Sequence, residues 1–243
     1  QKRSRMKSLT DLEKNFEGYD EGVRTLLKAR KDGVAAAEIL GVVADCMETP
    51  AEYETAVSAA LGEKLQYVVV KSHQEGVSAI GYLKEQAAGR SAFIPLEVRE
   101  SHSEPFPHQT EGVVGPLLSH VRLKEEYQQI AQYLLGDVVL VRTLGDALSL
   151  WRSNGHKKTL VTLEGEVVDP HGIVSGGTNS IRGKILFEKN RELKELRALV
   201  AELEEQIGLQ EDAASQMEGE LSDLSLQREE LSRQSHAEEL RLT

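Results

Sequence analysis

Apolar positions recur at alternating spacings of three and four in two stretches at opposite ends of the chain. The first runs through Leu9, Leu12, Phe16, Tyr19, Val23 and Leu26. The second runs through Leu193, Leu196, Val200, Leu203, Ile207, Ala214, Met217, Leu221, Leu224 and Leu231, with Gln210 and Arg228 filling two slots of the beat. A 3-4 repeat gives each helix one narrow stripe that must bury against another helix, which is a coiled-coil seam. A globule between the two stretches lets the chain turn back, so the pattern predicts two arms lying antiparallel in one chain. Gly18 and Gly22 each weaken the first helix by ~1 kcal/mol relative to alanine, which makes a packing partner necessary, and Gly33 ends it. Both helices rise ~1.5 Å per residue, so pairing that starts near Arg30 and Ile185 puts Leu12 opposite roughly Leu203. The second arm then outruns the first.

The pattern changes between the arms. Gly41 to Asp45 reads as a short strand, and Pro50 opens a helix with Thr49 as its N-cap and Tyr53, Ala56, Val57, Ala60 and Leu61 turned inward. The β-branched run Tyr67 to Val70 is a buried strand. A helix from His73 to Ala88 carries Val77, Ile80 and Leu83 on one face, and Ala92 to Leu96 is a third strand that Pro95 places at an edge or end. Residues 97–111, with Pro105 and Pro107, read as a loop between two lobes. The second lobe begins at Val113. A helix passes through Tyr127, Ile130, Tyr133 and Leu134, a strand covers Val138 to Val141, and a helix passes through Ala147, Leu148 and Trp151, with Trp151 in the core. A strand from Thr159 to Leu163 turns at Gly165 into Val167-Val168. The expected organisation is a first arm over 1–32, lobe one over 33–111, lobe two over 112–180 and a second arm over 181–243. The fold class is α/β (α+β), a two-lobed globule with an antiparallel coiled coil from both termini.

Composition narrows the chemistry. The formal charge is -11, which argues against a uniformly basic nucleic-acid binder, and the acidic residues of the tail fall mostly off the seam as a solvated face. Cys46 is the single cysteine, so no intrachain disulfide is available, and a reducing, cytoplasmic setting is expected. No apolar run approaches the ~18 residues that a spanning helix needs, so no membrane partner is expected. The chain starts and stops mid-pattern and reads as a piece of a longer protein.

The order of segments carries a resemblance. "GVVADCMETPAEYETAVSAALGEKLQYVVV", "GRSAFIPLE", "LLGDVVLVRTLGDALSLW" and "TLVTLEGEVVDPHGIVSGGT" follow one another between two coils. Together they resemble the hinge domain of bacterial SMC (structural maintenance of chromosomes) proteins over roughly residues 34–180. The resemblance implies a homodimerising hinge that closes two long arms, DNA as a partner, and ATPase heads at the far ends, outside this chain. Any accessory subunits of the complex would attach outside this region. The family often carries two adjacent glycines where this chain has His171-Gly172; Gly172 alone carries over, and Gly176-Gly177 match the second pair.

Two candidate sites follow. Gly172, Ile173, Val174, Gly176 and Gly177 suit a dimer interface, because glycines permit close backbone approach and an edge strand can pair with that of a second copy. The plain alternative is a turn leading back to the coil. Lys28, Arg30 and Lys31 close the first arm, while Arg182, Lys184, Lys189 and Arg191 open the second. Antiparallel arms would bring both groups to the globule-coil junction, where they could neutralise DNA phosphates without reading sequence. The plain alternative is pairing with glutamates such as Glu188 and Glu192. No catalytic residue and no cofactor or metal is expected. Gly183-Lys184 lacks the P-loop spacing, His102 and His108 lack metal-ligand spacing, and no Cys-x-x-Cys supports a zinc hook. Ser175 lacks the G-x-S-x-G frame, and Glu164 and Glu166 flank a solvated turn. A coiled-coil scaffold that binds only protein is the rival of another class.

Overall fold

The computed structural model describes residues 2–34, 37–98, 111–154, 157–177 and 182–239. The first elements are α1 (Lys2–Lys14), α2 (Glu21–Lys31), β1 (Ile39–Val42), α3 (Val43–Cys46), β2 (Met47–Glu48), α4 (Glu54–Leu61), β3 (Val68–Val70), α5 (His73–Glu85) and β4 (Phe93–Pro95). They are followed by β5 (Val113–Pro116), β6 (Arg122–Leu123), α6 (Gln128–Leu135), β7 (Val138–Val141), α7 (Leu144–Asn154), β8 (Thr159–Thr162), β9 (Val167–Val168), β10 (Val174–Ser175) and α8 (Arg182–Glu239). The chain divides into two compact units, residues 7–193 and the terminal segments 1–6 with 194–243.

Within residues 7–193 the two lobes repeat one idea. In each, a parallel strand pair is joined by a helix: β3-α5-β4 in the first and β7-α7-β8 in the second. Parallel strands need such a crossover, which leaves both faces of the central strands covered. The valines of β3 are accordingly fully buried, as are Leu140 and Val141 of β7. The first sheet has the order β1-β3-β4 and the second β10-β9-β8-β7-β5. A two-stranded ladder stitches the lobes together, pairing Met47 with Leu123 and Glu48 with Arg122. Beside it the Thr49 hydroxyl donates to the His120 carbonyl at 2.9 Å, and the Tyr53 ring stacks on His120 with centroids 4.1 Å apart. One apolar core runs through both lobes, from Leu26 and Val69 to Leu135 and Leu140, with a smaller cluster under α7 formed by Val139, Val141, Leu150 and Val168.

The first arm departs from the expected single helix. It breaks between α1 and α2, where Phe16 (φ 54°) and Gly18 (φ 97°) enter left-handed backbone. The second piece, α2, then buries Val23, Leu26 and Leu27 in the core of the globule. Gly18, rather than Arg30, meets the second arm, since a Cβ built on it would lie 3.2 Å from Leu186. In the terminal unit Arg3 pairs with Glu204 at 2.7 Å, so Arg3 rather than Leu12 reaches the level of Leu203. There Leu196 and Val200 are buried, and the seam positions from Leu203 to Leu231 are exposed.

Several local expectations also shift. The segment read as a strand from Gly41 to Asp45 leaves the sheet at Val42 and coils into α3, which buries Val43 and Ala44. Thr49 does not cap α4, because its hydroxyl is engaged by His120 and a 3-10 turn at Ala51–Tyr53 precedes the helix. Helix α5 buries Gly76, Ala79 and Leu83, leaving Val77 and Ile80 exposed. Most of the 97–111 loop, with His102 and His108, lies outside the described residues. Among the described residues no helix is long and apolar enough to cross a membrane, and no His/Cys/Asp/Glu group could hold a metal.

Candidate dimer edge and nucleic-acid interface

The glycine segment forms the outer edge of the second sheet. Asp169 shapes the approach to it: its carboxylate accepts the N–H groups of His171 (2.9 Å) and Ile173 (2.8 Å). Those two hydrogen bonds hold its carboxyl below the usual carboxylate range, the Ile173 amide being the larger cause. The Asp169 N–H donates to the Ile173 carbonyl at 3.0 Å, which turns Ile173 toward β9. Successive residues of a strand alternate, so the N–H and carbonyl of Val174 point to the open side. The side chains of Ile173 (66%) and Val174 (48%) are exposed beside it. An unpaired edge flanked by apolar side chains is a template for strand addition.

The three glycines do different work. Gly172 has φ 86°, and a Cβ there would lie 2.4 Å from the Trp151 ring. Its freedom is required inside the chain, where Trp151 leans on the turn and its Nε1–H donates to the Pro170 carbonyl at 3.2 Å. Trp151 is therefore not the core residue expected; it is 36% exposed. A Cβ on Gly176 would meet Glu166 Cγ at 3.1 Å, whereas one on Gly177 (φ 136°) would meet nothing within 4 Å.

Sequence reasoning named no strand of the first lobe to match this edge. Strand β4 is one margin of the first sheet, β1 being the other. Ala92 accepts from Val68 N–H at 2.9 Å and Leu96 donates to Val70 at 3.0 Å, so both face β3. Phe93, one residue out of phase, presents its N–H and carbonyl outward, and Pro95 has no N–H to leave unpaired there. The strand borders a groove of about 650 Å³ lined by Val77, Ile80, Phe93 and Pro95 among others. Exposed Val77 (61%) and Ile80 (42%) mark this margin as apolar; those two, read as a core face in the sequence, were the available signal.

The cations are not gathered into one patch. On the second arm, Arg191 Nε is 2.7 Å from Glu54, whose side chain is only 2% exposed. Lys184 lies 3.9 Å from Glu188. Lys189 sits over the Tyr19 ring, 5.2 Å from its centroid, and its loss of hydration pulls its pKa below the usual lysine value. Lys189 and Arg191 hold the helix root on the globule, whereas the Lys184–Glu188 pair lies within α8 itself. Asn190 joins Lys189 and Arg191 by donating to Asp45 at 3.0 Å, and Gly183 lets the root approach Leu65, which a Cβ would reach at 2.1 Å. The side chain of Arg182 lies outside the described residues. On α2, Lys28, Arg30 and Lys31 are exposed. Arg30 borders a depression of about 450 Å³ together with Asp45, Glu48, Arg122, Lys124 and Tyr127. Sequence reasoning overlooked Arg122 and Lys124. Their alternation with Val121 and Leu123 is a period-two signal that puts both on one side of an extended segment.

The sequence profile described as "SMC proteins Flexible Hinge Domain" matches residues 36–151. The chain is 40% identical to the chromosome partition protein Smc of Myxococcus xanthus over 208 residues, 84% of this chain and 17% of that protein. It is 33% identical to the Smc of Bacillus subtilis strain 168 over 216 residues, 87% of this chain and 18% of that protein. The chain thus spans less than a fifth of the length of the curated relatives it matches. An asymmetric dimer of the Geobacillus stearothermophilus SMC hinge domain superposes with a TM-score of 0.79 and 31% identity, covering 91% of this chain and 89% of that one. A Pyrococcus furiosus SMC hinge domain superposes with a TM-score of 0.55 and 25% identity, covering 74% of this chain and 90% of that one. Two stitched lobes between coiled-coil ends, matched over nearly the whole length of a solved hinge, place this chain in the family of SMC hinge domains.

Proposed function

We propose that this chain is the homodimerising hinge of a chromosome partition ATPase, joining two copies of a longer protein and contacting DNA without reading its sequence. Chromosome condensation and segregation are the process it serves. The ATP-hydrolysing heads belong to parts of the protein outside this chain, and the hinge itself carries out no reaction.

The observation that carries the dimer is the pair of open sheet margins, Val174 on β10 and Phe93 on β4, each beside exposed apolar side chains. A two-fold axis pairs β10 of one copy with β4 of the other, twice. Each contact buries Ile173 and Val174 against Val77 and Ile80. The related Geobacillus stearothermophilus hinge being a dimer supports this reading. Replacing Ile173 and Val174 together with lysine puts charge on the pairing edge. The mass in solution, measured by light scattering, should fall to one protomer while circular dichroism stays near wild type; a dimer that survives removes β10 from the interface.

For DNA the support is the exposed cations on an otherwise acidic molecule. The engagement of Lys184, Lys189 and Arg191 inside the chain favours a second reading, a scaffold that binds protein alone. Salt-dependent shift of a DNA probe separates the two.

A further inference from the structure

The seven cations expected at the junction divide by what surrounds them. Lys189 and Arg191 are committed to Tyr19 and Glu54, and Lys184 has Glu188 3.9 Å away, one turn along its own helix. Arg30, Arg122 and Lys124 are exposed, come from segments about ninety residues apart in sequence, and line one depression. Among the described residues these three enter no ion pair. With 3.6 residues per turn, Lys28 lies on nearly the opposite side of α2 from Arg30, so it does not extend this cluster.

The depression also has acidic residues, Asp45 and Glu48, and neither is without a partner. Asp45 accepts from the Tyr19 hydroxyl and from Asn190, and the Lys189 ammonium stands close enough to stabilise its charge. Its carboxylate is therefore largely answered from the side of the helix root. Glu48 stands directly across the β2–β6 ladder from Arg122. Cys46 at the floor adds no charge near neutrality, since burial and the neighbouring Asp45 push its thiol up to about 12.

We infer that the DNA contact of this hinge lies at the seam between its lobes, on Arg30, Arg122 and Lys124, and not on the basic root of the second arm. The inference rests on the DNA reading given above and names the surface that reading requires. Three exposed cations at one depression fit the phosphates of a nucleic-acid backbone, which need charge and reach but no fixed geometry. Phe16, Leu27, Leu40, Leu123 and Tyr127 also line the depression and would seat the apolar anchor of a protein partner; a chain that leaves DNA unbound is the outcome that occupant predicts.

The test titrates the 243-residue chain into a fluorescein-labelled DNA duplex across a range of salt. In the variant R30Q/R122Q/K124Q, affinity at low salt should fall at least tenfold. The slope of log K against log salt should flatten by about 3, since each phosphate contact contributes about 1. The control K28Q/K184Q should bind as wild type. The exposed positions leave the fold intact, which circular dichroism checks. A triple variant with wild-type affinity and slope overturns the seam site while the DNA reading stands. A wild-type chain that leaves the duplex unbound at low salt overturns the DNA reading itself, and this inference with it.

Discussion

Glycine 172 shows how one residue can suit two explanations that physics separates. Its left-handed backbone and its place beside an exposed edge invite an interface role. The Trp151 ring, where a Cβ would land at 2.4 Å, supplies a sufficient reason within the chain. Gly172→Ala should therefore push the indole off the turn and break the bond from its Nε1–H to the Pro170 carbonyl. Strained backbone and a displaced ring together should cost about 2 kcal/mol, within the range for a special φ/ψ position. Trp151 is the only tryptophan, so its emission reports the change directly. The emission should shift as much in the I173K/V174K background as in wild type. A shift that needs the intact edge would return Gly172 to the interface. Glu54 and Arg191 make a similar case. A carboxylate buried to 2% would be costly alone, and the arginine that answers it comes from the helix root 137 residues away. The cation is doing structural work that its place in a basic run conceals.

At the scale of elements, the 3-4 beat identified both helical arms but not where the first one leaves the coil. Leu9 and Val23 both sit on the seam pattern, yet they lie in different helices, and Val23 belongs to the core of the globule. Periodicity records that a face is apolar, not what covers it. The same limit explains α5, whose Val77 and Ile80 looked like core and prove to be the border of an open groove. The β-branched runs of β3 and β7 were legible because a fully buried strand leaves few alternatives. Two-residue strands such as β2 and β6 carry a short local signal, no more than the alternation of Arg122 and Lys124 with Val121 and Leu123, so the lobe seam and its cations were easily passed over. The division of the first arm has a consequence for stability. Removing residues 1–14 takes away α1 with Leu9, which belongs to neither core cluster, and should leave a cooperative unfolding transition of the globule in place. Extending the deletion through Lys31 strips Val23, Leu26 and Leu27 from the core, each worth about 2–5 kcal/mol by large-to-small precedent. That longer deletion should abolish the cooperative transition in urea. If both deletions behave alike, α2 is an arm and not part of the globule.

For the whole molecule, two open margins on different sheets give the proposed dimer a property that a single patch would not have. Each two-fold dimer holds two equivalent contacts, β10 on β4 and β4 on β10. A change on either margin of one protein damages both contacts of its homodimer. Lysines at Ile173 and Val174 should do this from one side, and V77E/I80E from the other, since both pairs are exposed and their loss spares the core. The two variants mixed together differ from either alone. A heterodimer unites one protomer that keeps a native β10 margin with one that keeps a native β4 margin, so one of its two contacts is wild type. The other contact sets lysine against glutamate, which attract each other weakly across a wet rim. The mixture should therefore recover a dimeric fraction that neither variant shows by itself, weaker than wild type because half of the native contact is missing. Light scattering at equal protomer concentration measures it, with one variant carrying a mass tag to identify the hetero-pair. Recovery on mixing would require that the two margins meet in trans. A mixture as monomeric as its parts would mean either that the pair of contacts closes only as a unit or that β4 is not the partner. V77E/I80E alone decides between these, since a dimer of normal affinity with that change excludes β4.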